Sequence, residues 1–253
     1  MLALRAWQWT LLLLALAALV LEILPRVGVV SRATLLPFSE MVVAAVQLLL
    51  RPDFYTDGVL PSLLAILIAF AIAAVAGVAI GYLIWRVRPL RQAIDPYLTA
   101  YYALPIFALY PALIAIWGQG AGPITALAAL FAVVAVITNA MNGFDSAPPI
   151  IGKLARSMQV PERTYFLKFF LPYAMPYILI GLRLAFLYSL LSVLAAEFLL
   201  SSAGLGHFIQ IAYVRFDMAE MYGAILVVFG LAILAERLIT LAVRKLTWVG
   251  DLT

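Results

Sequence analysis

The chain has no cysteine and a single histidine, His207, and only 11% of its residues are charged. Without cysteine there is no disulfide framework, no thiolate nucleophile and no Cys-based metal site. One histidine excludes a His-based metal cluster. No Ser-His-Asp set and no pair of intramembrane aspartates points to a protease. Gly-x-x-x-x-Gly-Lys-Ser/Thr is also missing: the only Gly-Lys pair, Gly152-Lys153, is followed by Leu154 and has Ala147 where the first glycine belongs. The chain therefore has no such loop to cradle a nucleotide's phosphates.

What it has instead is apolar surface. Hydrophobic residues make up 66% of the 253 positions, against about 45–50% in a soluble domain. The chain reads as an integral membrane protein. Its formal charge of +4 comes from sixteen Lys and Arg scattered at the ends of apolar runs. That distribution encodes topology rather than a nucleic-acid surface.

A helix needs roughly 20 mainly apolar residues to cross the bilayer. Six stretches qualify: Trp7 to Leu24, Leu60 to Trp85, Tyr97 to Trp117, Ile124 to Met141, Tyr177 to Leu200 and Met221 to Val243. The first carries only Arg5 before it, and no small-x-small site follows its apolar run before Pro25-Arg26, so it is expected to be retained rather than cleaved. With Arg5 inside, ten basic residues face the cytoplasm: Arg5, Arg86, Arg88, Arg91, Lys153, Arg156, Arg163, Lys168, Arg244 and Lys245. Four face outward, namely Arg26, Arg32, Arg51 and Arg215, while Arg183 and Arg237 lie within spans. The excess places both termini in the cytoplasm.

Two outer segments are more than loops. Pro37 to Asp53 reads as a short interfacial helix, with Ser39 as N-cap and Pro52 as its stop. Ser201 to Met221 opens on Gly204 and Gly206, which permit sharp turns, and continues as a short, partly embedded helix. On the inner side, "IIGKLARSMQV" and "ERTYFLKFF" form two helical runs separated by a turn at Pro161 and ended by Leu171-Pro172. This surface mixes Arg156, Glu162, Arg163 and Lys168 with Met158, Val160, Tyr165 and Phe166. It reads either as a docking element, with apolar anchors and a charged rim, or as an interfacial loop whose aromatics meet headgroups.

The segment resembles the cytoplasmic "EAA" loop of ABC-importer permeases, whose pattern is Glu-Ala-Ala, three residues, Gly, nine residues, then Ile-x-Leu-Pro. Ala155 falls on the second alanine, Phe169 on the hydrophobic place, and Leu171-Pro172 on the ending. Lys153 replaces the glutamate, Leu154 the first alanine, and Gln159 the glycine, whose turn Pro161 is expected to impose instead. Three further stretches resemble the branch serving nitrate, sulfonate and taurine. They are "RQAIDPYLTAYYALPIFALYPALIAIWGQG", "PYILIGLRLAF" and "AAEFLLSSAGLGHFI". The likeness runs from about Pro61 to Lys245.

That resemblance implies an all-α type I importer permease (MetI-like) fold of six transmembrane helices with a coupling-helix loop. Residues 1–58 would hold the first span and the outer interfacial helix, 59–245 the permease core, and 246–253 a cytoplasmic tail. It implies a multi-pass protein of the bacterial inner membrane, paired with a second permease copy as a homodimer. Two ATP-binding subunits would dock below and a periplasmic or lipid-anchored solute-binding protein above, with membrane lipid around and no nucleic acid. The chain itself would carry no cofactor; ATP and Mg would sit in the partner subunit. The docking surface is expected at Ala155, Arg156, Met158, Gln159, Val160, Pro161, Arg163, Tyr165, Phe166, Leu171 and Pro172.

Span three supplies the candidate pathway. Tyr101, Tyr102, Phe107 and Tyr110 lie among Pro105 and Pro111, and loosened carbonyls there are tolerated beside protein or a water-filled cavity. Tyr101, Tyr102 and Pro105 are expected to share a face, with Asn139 and Asn142 adding hydrogen bonds from span four. For each residue, packing between helices is an equal alternative. Glu197 either holds the Gly204-Gly206 turn or faces the pathway, the first being favoured because a carboxylate repels an anion. Arg183 is about 21 Å from it on the same helix and is expected to anchor at the inner interface or bond a neighbouring carbonyl, with Glu236 and Arg237 compensating one another. The rival reading is a gradient-driven secondary transporter or channel, which should show inverted repeats and broken helices; a purely structural subunit is the second rival.

Overall fold

The computed structural model describes residues 6–248, apart from the side chains of residues 6, 7, 102, 149, 156 and 162 and those beyond 241. Almost all of it is helical: α1 Ala6–Arg26, α2 Phe38–Leu49, α3 Leu60–Arg86, α4 Arg88–Ala100, α5 Tyr110–Trp117, α6 Ala121–Ser146, α7 Pro149–Ser157, α8 Glu162–Tyr165, α9 Leu171–Leu200, α10 Leu205–Val214 and α11 Met218–Trp248. Wide helical turns at Phe54–Val59 and Phe166–Phe170 lead into α3 and α9. Among the described residues five helical stretches are long and apolar enough to cross a membrane.

The expected sixth, Tyr97 to Trp117, is broken. Helix α4 ends at Ala100, Leu104 is extended at ψ 133, and a regular helix resumes only at Tyr110. Pro105 disfavours helical geometry at the residue before it and cannot donate an N–H, which is the physical cause. Two other expectations are corrected. The helical run before α9 does not stop at Leu171-Pro172 but continues into α9, because the wide turn at 166–170 accommodates the N–H that Pro172 lacks. Ser39 is inside α2 rather than capping it: its N–H and hydroxyl donate to Glu22 at 2.9 Å each, so a carboxylate from α1 satisfies the helix start.

The chain forms two compact units, Met1–Pro61 with Glu197–Leu231, and Ser62–Ala196 with Ala232–Thr253. In the first, Phe54 is fully buried and meets Phe208 edge-on at 5.1 Å. Gly223 lets α11 approach α2 so closely that a Cβ would stand 2.9 Å from the Ala44 carbonyl carbon. Tyr222 donates its hydroxyl to the Thr34 carbonyl at 2.7 Å. Outside the spans, Arg51 bonds Asp53 and Glu220 at 2.5 Å each. Bonding to Arg51 holds the Asp53 carboxyl below the usual carboxylate range.

In the second unit α6 is the central element. Gly77 and Gly81 of α3 lie against Val136 and Ala140, Gly143 lies against Ala174 of α9, and Gly181 of α9 lies against Asn139. Small residues at these crossings allow van der Waals packing where lipid supplies no hydrophobic drive between helices.

Candidate functional site

The loop at 150–172 takes its shape from the end of α7. Met158 donates to the Leu154 carbonyl at 3.0 Å as an ordinary helical bond, and Val160 donates to the Ala155 carbonyl at 3.0 Å, the six-to-one closure of a helix finished by a left-handed residue. That residue is Gln159, with φ 53. The left-handed step thus stands at the position where the resemblance calls for glycine. Pro161 does not replace it, as expected from the sequence; it follows, and its carbonyl accepts from Tyr165 at 2.9 Å to start α8.

This closure leaves Leu154, Met158 and Gln159 exposed at the tip. Ala155 is buried, Val160 half-buried, and Arg163 and Pro161 exposed; the side chain of Arg156 lies outside the described residues. Tyr165 and Phe166, read from sequence as surface anchors, are half-buried. Phe166 meets Tyr82 at 5.2 Å, while Phe170 packs on Trp85 at 4.9 Å and stacks on Phe144 at 5.7 Å. These rings fasten the loop to α3 and α6. Leu171 is half-buried and Pro172 exposed where α9 begins.

A second fastening went unnoticed in the sequence. Asp145, near the end of α6, accepts both Arg91 nitrogens at 2.8 and 2.6 Å and the Trp85 indole N–H at 3.0 Å. Bonding to Asp145 raises the Arg91 guanidinium, against the opposing effect of burial. The available signal was an acid at the inner end of one span and a basic run just after another. Arg91 was counted only for topology.

The pathway candidates do not gather on one face. Tyr101 turns into the core and donates to the Leu130 carbonyl at 2.9 Å, and Tyr110 is buried in the same cluster. Pro105 and Phe107 are exposed, and the Tyr102 side chain lies outside the described residues. Asn139 donates within its own helix to Ala135 at 2.8 Å, whereas Asn142 is exposed.

In the other unit Glu197 is 3% exposed and accepts the Gly206 N–H at 3.1 Å. Pro61 has no N–H to offer the Asp57 carbonyl one helical turn back. The Gly204 N–H donates to that carbonyl instead, at 2.8 Å.

Arg183 also departs from expectation. It pairs with Glu236 across α9 and α11, and Thr240 donates to the same Glu236 oxygen at 3.1 Å. The expected Glu236–Arg237 compensation gives way to this interhelical pair, since an ionised group in a span requires an opposite charge within reach.

Residues 73–248 match the family described as binding-protein-dependent transport system inner membrane component. The nitrate import permease protein NrtB of Leptolyngbya laminosa is 31% identical over 178 residues, 70% of this chain and 64% of the relative. NrtB of a Synechocystis species is 28% identical over 200 residues, 76% of this chain and 73% of the relative. The bicarbonate transport system permease protein CmpB of Synechococcus elongatus is 28% identical over 171 residues, 67% of this chain and 62% of the relative. Among solved structures, a chain of the MetNI methionine ABC transporter in inward-facing conformations aligns with a TM-score of 0.64 at 18% identity. That match covers 81% of this chain and 96% of the solved one, and it identifies the type I importer permease fold.

Proposed function

Since the chain belongs to the family of binding-protein-dependent transport system inner membrane components, we propose that it forms the translocation pathway of an ATP-driven importer for a small anion. The nitrate and bicarbonate permeases among the relatives support nitrate, bicarbonate or a sulfonate as the solute. The permease carries the solute, a solute-binding protein delivers it from outside, and a separate ATP-binding subunit docks on the loop at 150–172. Two permease copies and two ATPase copies complete the assembly, with both termini in the cytoplasm. The docking residues are those at the tip, Leu154, Met158 and Gln159, together with Arg156, Arg163 and Pro161.

The observation that carries this reading is the closure of α7. A helix ended by a left-handed residue, with apolar side chains exposed beside it, is a rigid projection suited to a groove in a partner. Its inward face is fixed by Phe166 and Phe170 on α3 and α6. Closure of paired ATPase subunits would move this projection as a lever, and differential affinity for the two states would drive access from one side to the other.

The permease co-purified with its ATP-binding subunit and reconstituted in vesicles provides the test. Uptake of radiolabelled nitrate, bicarbonate or taurine should require ATP on the loop side and the binding protein on the other. Uptake that persists without nucleotide and follows an ion gradient would sink the proposal.

A further inference from the structure

The broken crossing, α4 to α5, runs antiparallel to α6, and three contacts fix its register. Arg91 bonds Asp145 at one end of α6, Tyr101 donates to the Leu130 carbonyl, and Trp117 lies beside Gly122 at the other end. Leu130 is fifteen residues from Asp145, about 22 Å along a helix whose 26 residues extend about 39 Å. The irregular backbone after Tyr101 therefore stands in the middle of the hydrocarbon rather than at its edge. Ala103, Leu104 and Pro105 are exposed there.

Lipid cannot cover such a segment. Hydrocarbon offers backbone groups outside a helix no partner, so irregular backbone persists at that depth only inside protein or beside water. The helix leading to it carries the same signal on its surface. Leu90, Ile94 and Leu98 pack one side of α4 against Ile84, Ile137 and Met141. Arg88, Gln92, Asp95 and Thr99 recur at intervals of three and four on another side, and all four are exposed. Pro96 has no N–H to offer the Gln92 carbonyl, which releases a backbone acceptor beside this stripe. Asp95 stands 3.6 Å from Arg91 with half of its side chain open. A dry contact with a second copy would bury that charge, and interface cores are depleted of charged residues. A polar stripe that starts at the membrane edge and ends on irregular backbone at mid-depth is instead the surface that water entering from that edge would wet. We propose that Gln92, Asp95, Thr99 and the backbone at 103–105 line one wall of the aqueous passage that the solute follows. That the wall serves a solute rests on the permease reading; that it faces water does not.

Because the chain has no cysteine, single cysteine substitutions report on each position without background. Thr99→Cys and Ala103→Cys change small, exposed side chains. Leu14→Cys, 62% exposed on a first span with little buried surface, is the lipid-facing reference. Each variant is placed in nanodiscs, which leave both membrane faces open, and treated with membrane-impermeant sulfonatoethyl methanethiosulfonate. Hydrocarbon suppresses the thiolate that reacts, so Thr99→Cys and Ala103→Cys should be modified at least about tenfold faster than Leu14→Cys. Modification of either as slow as that of Leu14→Cys overturns the proposal, since lipid or a second copy would then cover the wall. In vesicles, complete modification of Thr99→Cys should abolish ATP-driven uptake by the assembled importer. Uptake left at the parent's rate would put the wetted wall off the solute's route and also overturns the proposal. A parent that takes up no solute with ATP present counts against the permease reading instead, and the labelling rates still decide whether the wall is wet.

Discussion

Two turns in this molecule use a positive φ, and only one of them needs glycine. Gly204 sits at ψ 169, in a region essentially open to glycine alone, whereas Gln159 lies in the left-handed range that a side chain can enter. At the start of α10 Gly204 has φ 102, and a Cβ built there falls inside the Glu197 carboxylate. At the end of α7 Gln159 has φ 53 and stays exposed, carrying a full side chain. The first turn is constrained by conformation and space together; the second by conformation alone. Substituting glycine by another residue at a left-handed position costs about 1 kcal/mol where there is room. Where a buried carboxylate fills the room, no such exchange is open. This explains how the loop departs from the family glycine while "GLG" at 204–206 stays intact.

The strongest way to break the comparison is Gly204→Ala. Strain and overpacking against Glu197 add, so a loss of about 3 kcal/mol is expected, seen as loss of monodisperse protein on detergent size exclusion. A variant that purifies and melts like the parent would remove the distinction between the turns. Glu197→Gln keeps the shape and one acceptor for the Gly206 N–H but replaces the second carboxyl oxygen by an amide donor, for an expected loss of about 1–2 kcal/mol in thermal unfolding. No change would mean that the carboxylate acts elsewhere. At the other turn the sign reverses: Gln159→Gly should stabilise by about 0.5–1 kcal/mol, the relieved strain outweighing the freer unfolded chain. A destabilised Gln159→Gly would show that the glutamine side chain holds the loop.

The smallest effect concerns the ion-pair cluster at Arg51. The Asp53 carboxyl is held low in the folded state, chiefly by its bond to Arg51. Its contribution is therefore present above the unfolded carboxylate value near 3.9 and is lost as pH falls through the lower folded value. Melting should be unchanged by this pair between pH 7 and 5 and should decline only below about 4; Asp53→Asn should remove that acid-side decline.

The spans were legible because long apolar runs must be helical in lipid. Leu60 to Trp85 became α3 with one residue added, and the loop's two-helix form was legible, although its turn sits at Gln159 rather than at Pro161. Tyr97 to Trp117 was misread because hydropathy is blind to the backbone break that Pro105 imposes. The Ser39 cap failed for a different reason: Glu22, seventeen residues away in sequence, took both of its donors. The pairs Arg91–Asp145 and Arg183–Glu236 bridge separate helices, and no periodicity within one segment reveals a partner on another. Tyr101 and Tyr110 carried no sign of which way they face, and the break at Leu104 decides it.

The central claim is that the tip of the loop at 150–172 enters an ATP-binding subunit. Because the chain has no cysteine, Met158→Cys supplies a unique anchor for a short photoreactive probe. After co-expression with an ATP-binding subunit, illumination should yield one adduct, of this chain with that subunit, lost when the probe is moved to Val29, between α1 and α2. Labelling of lipid alone at Met158, in a preparation that contains the ATP-binding subunit, would contradict the account.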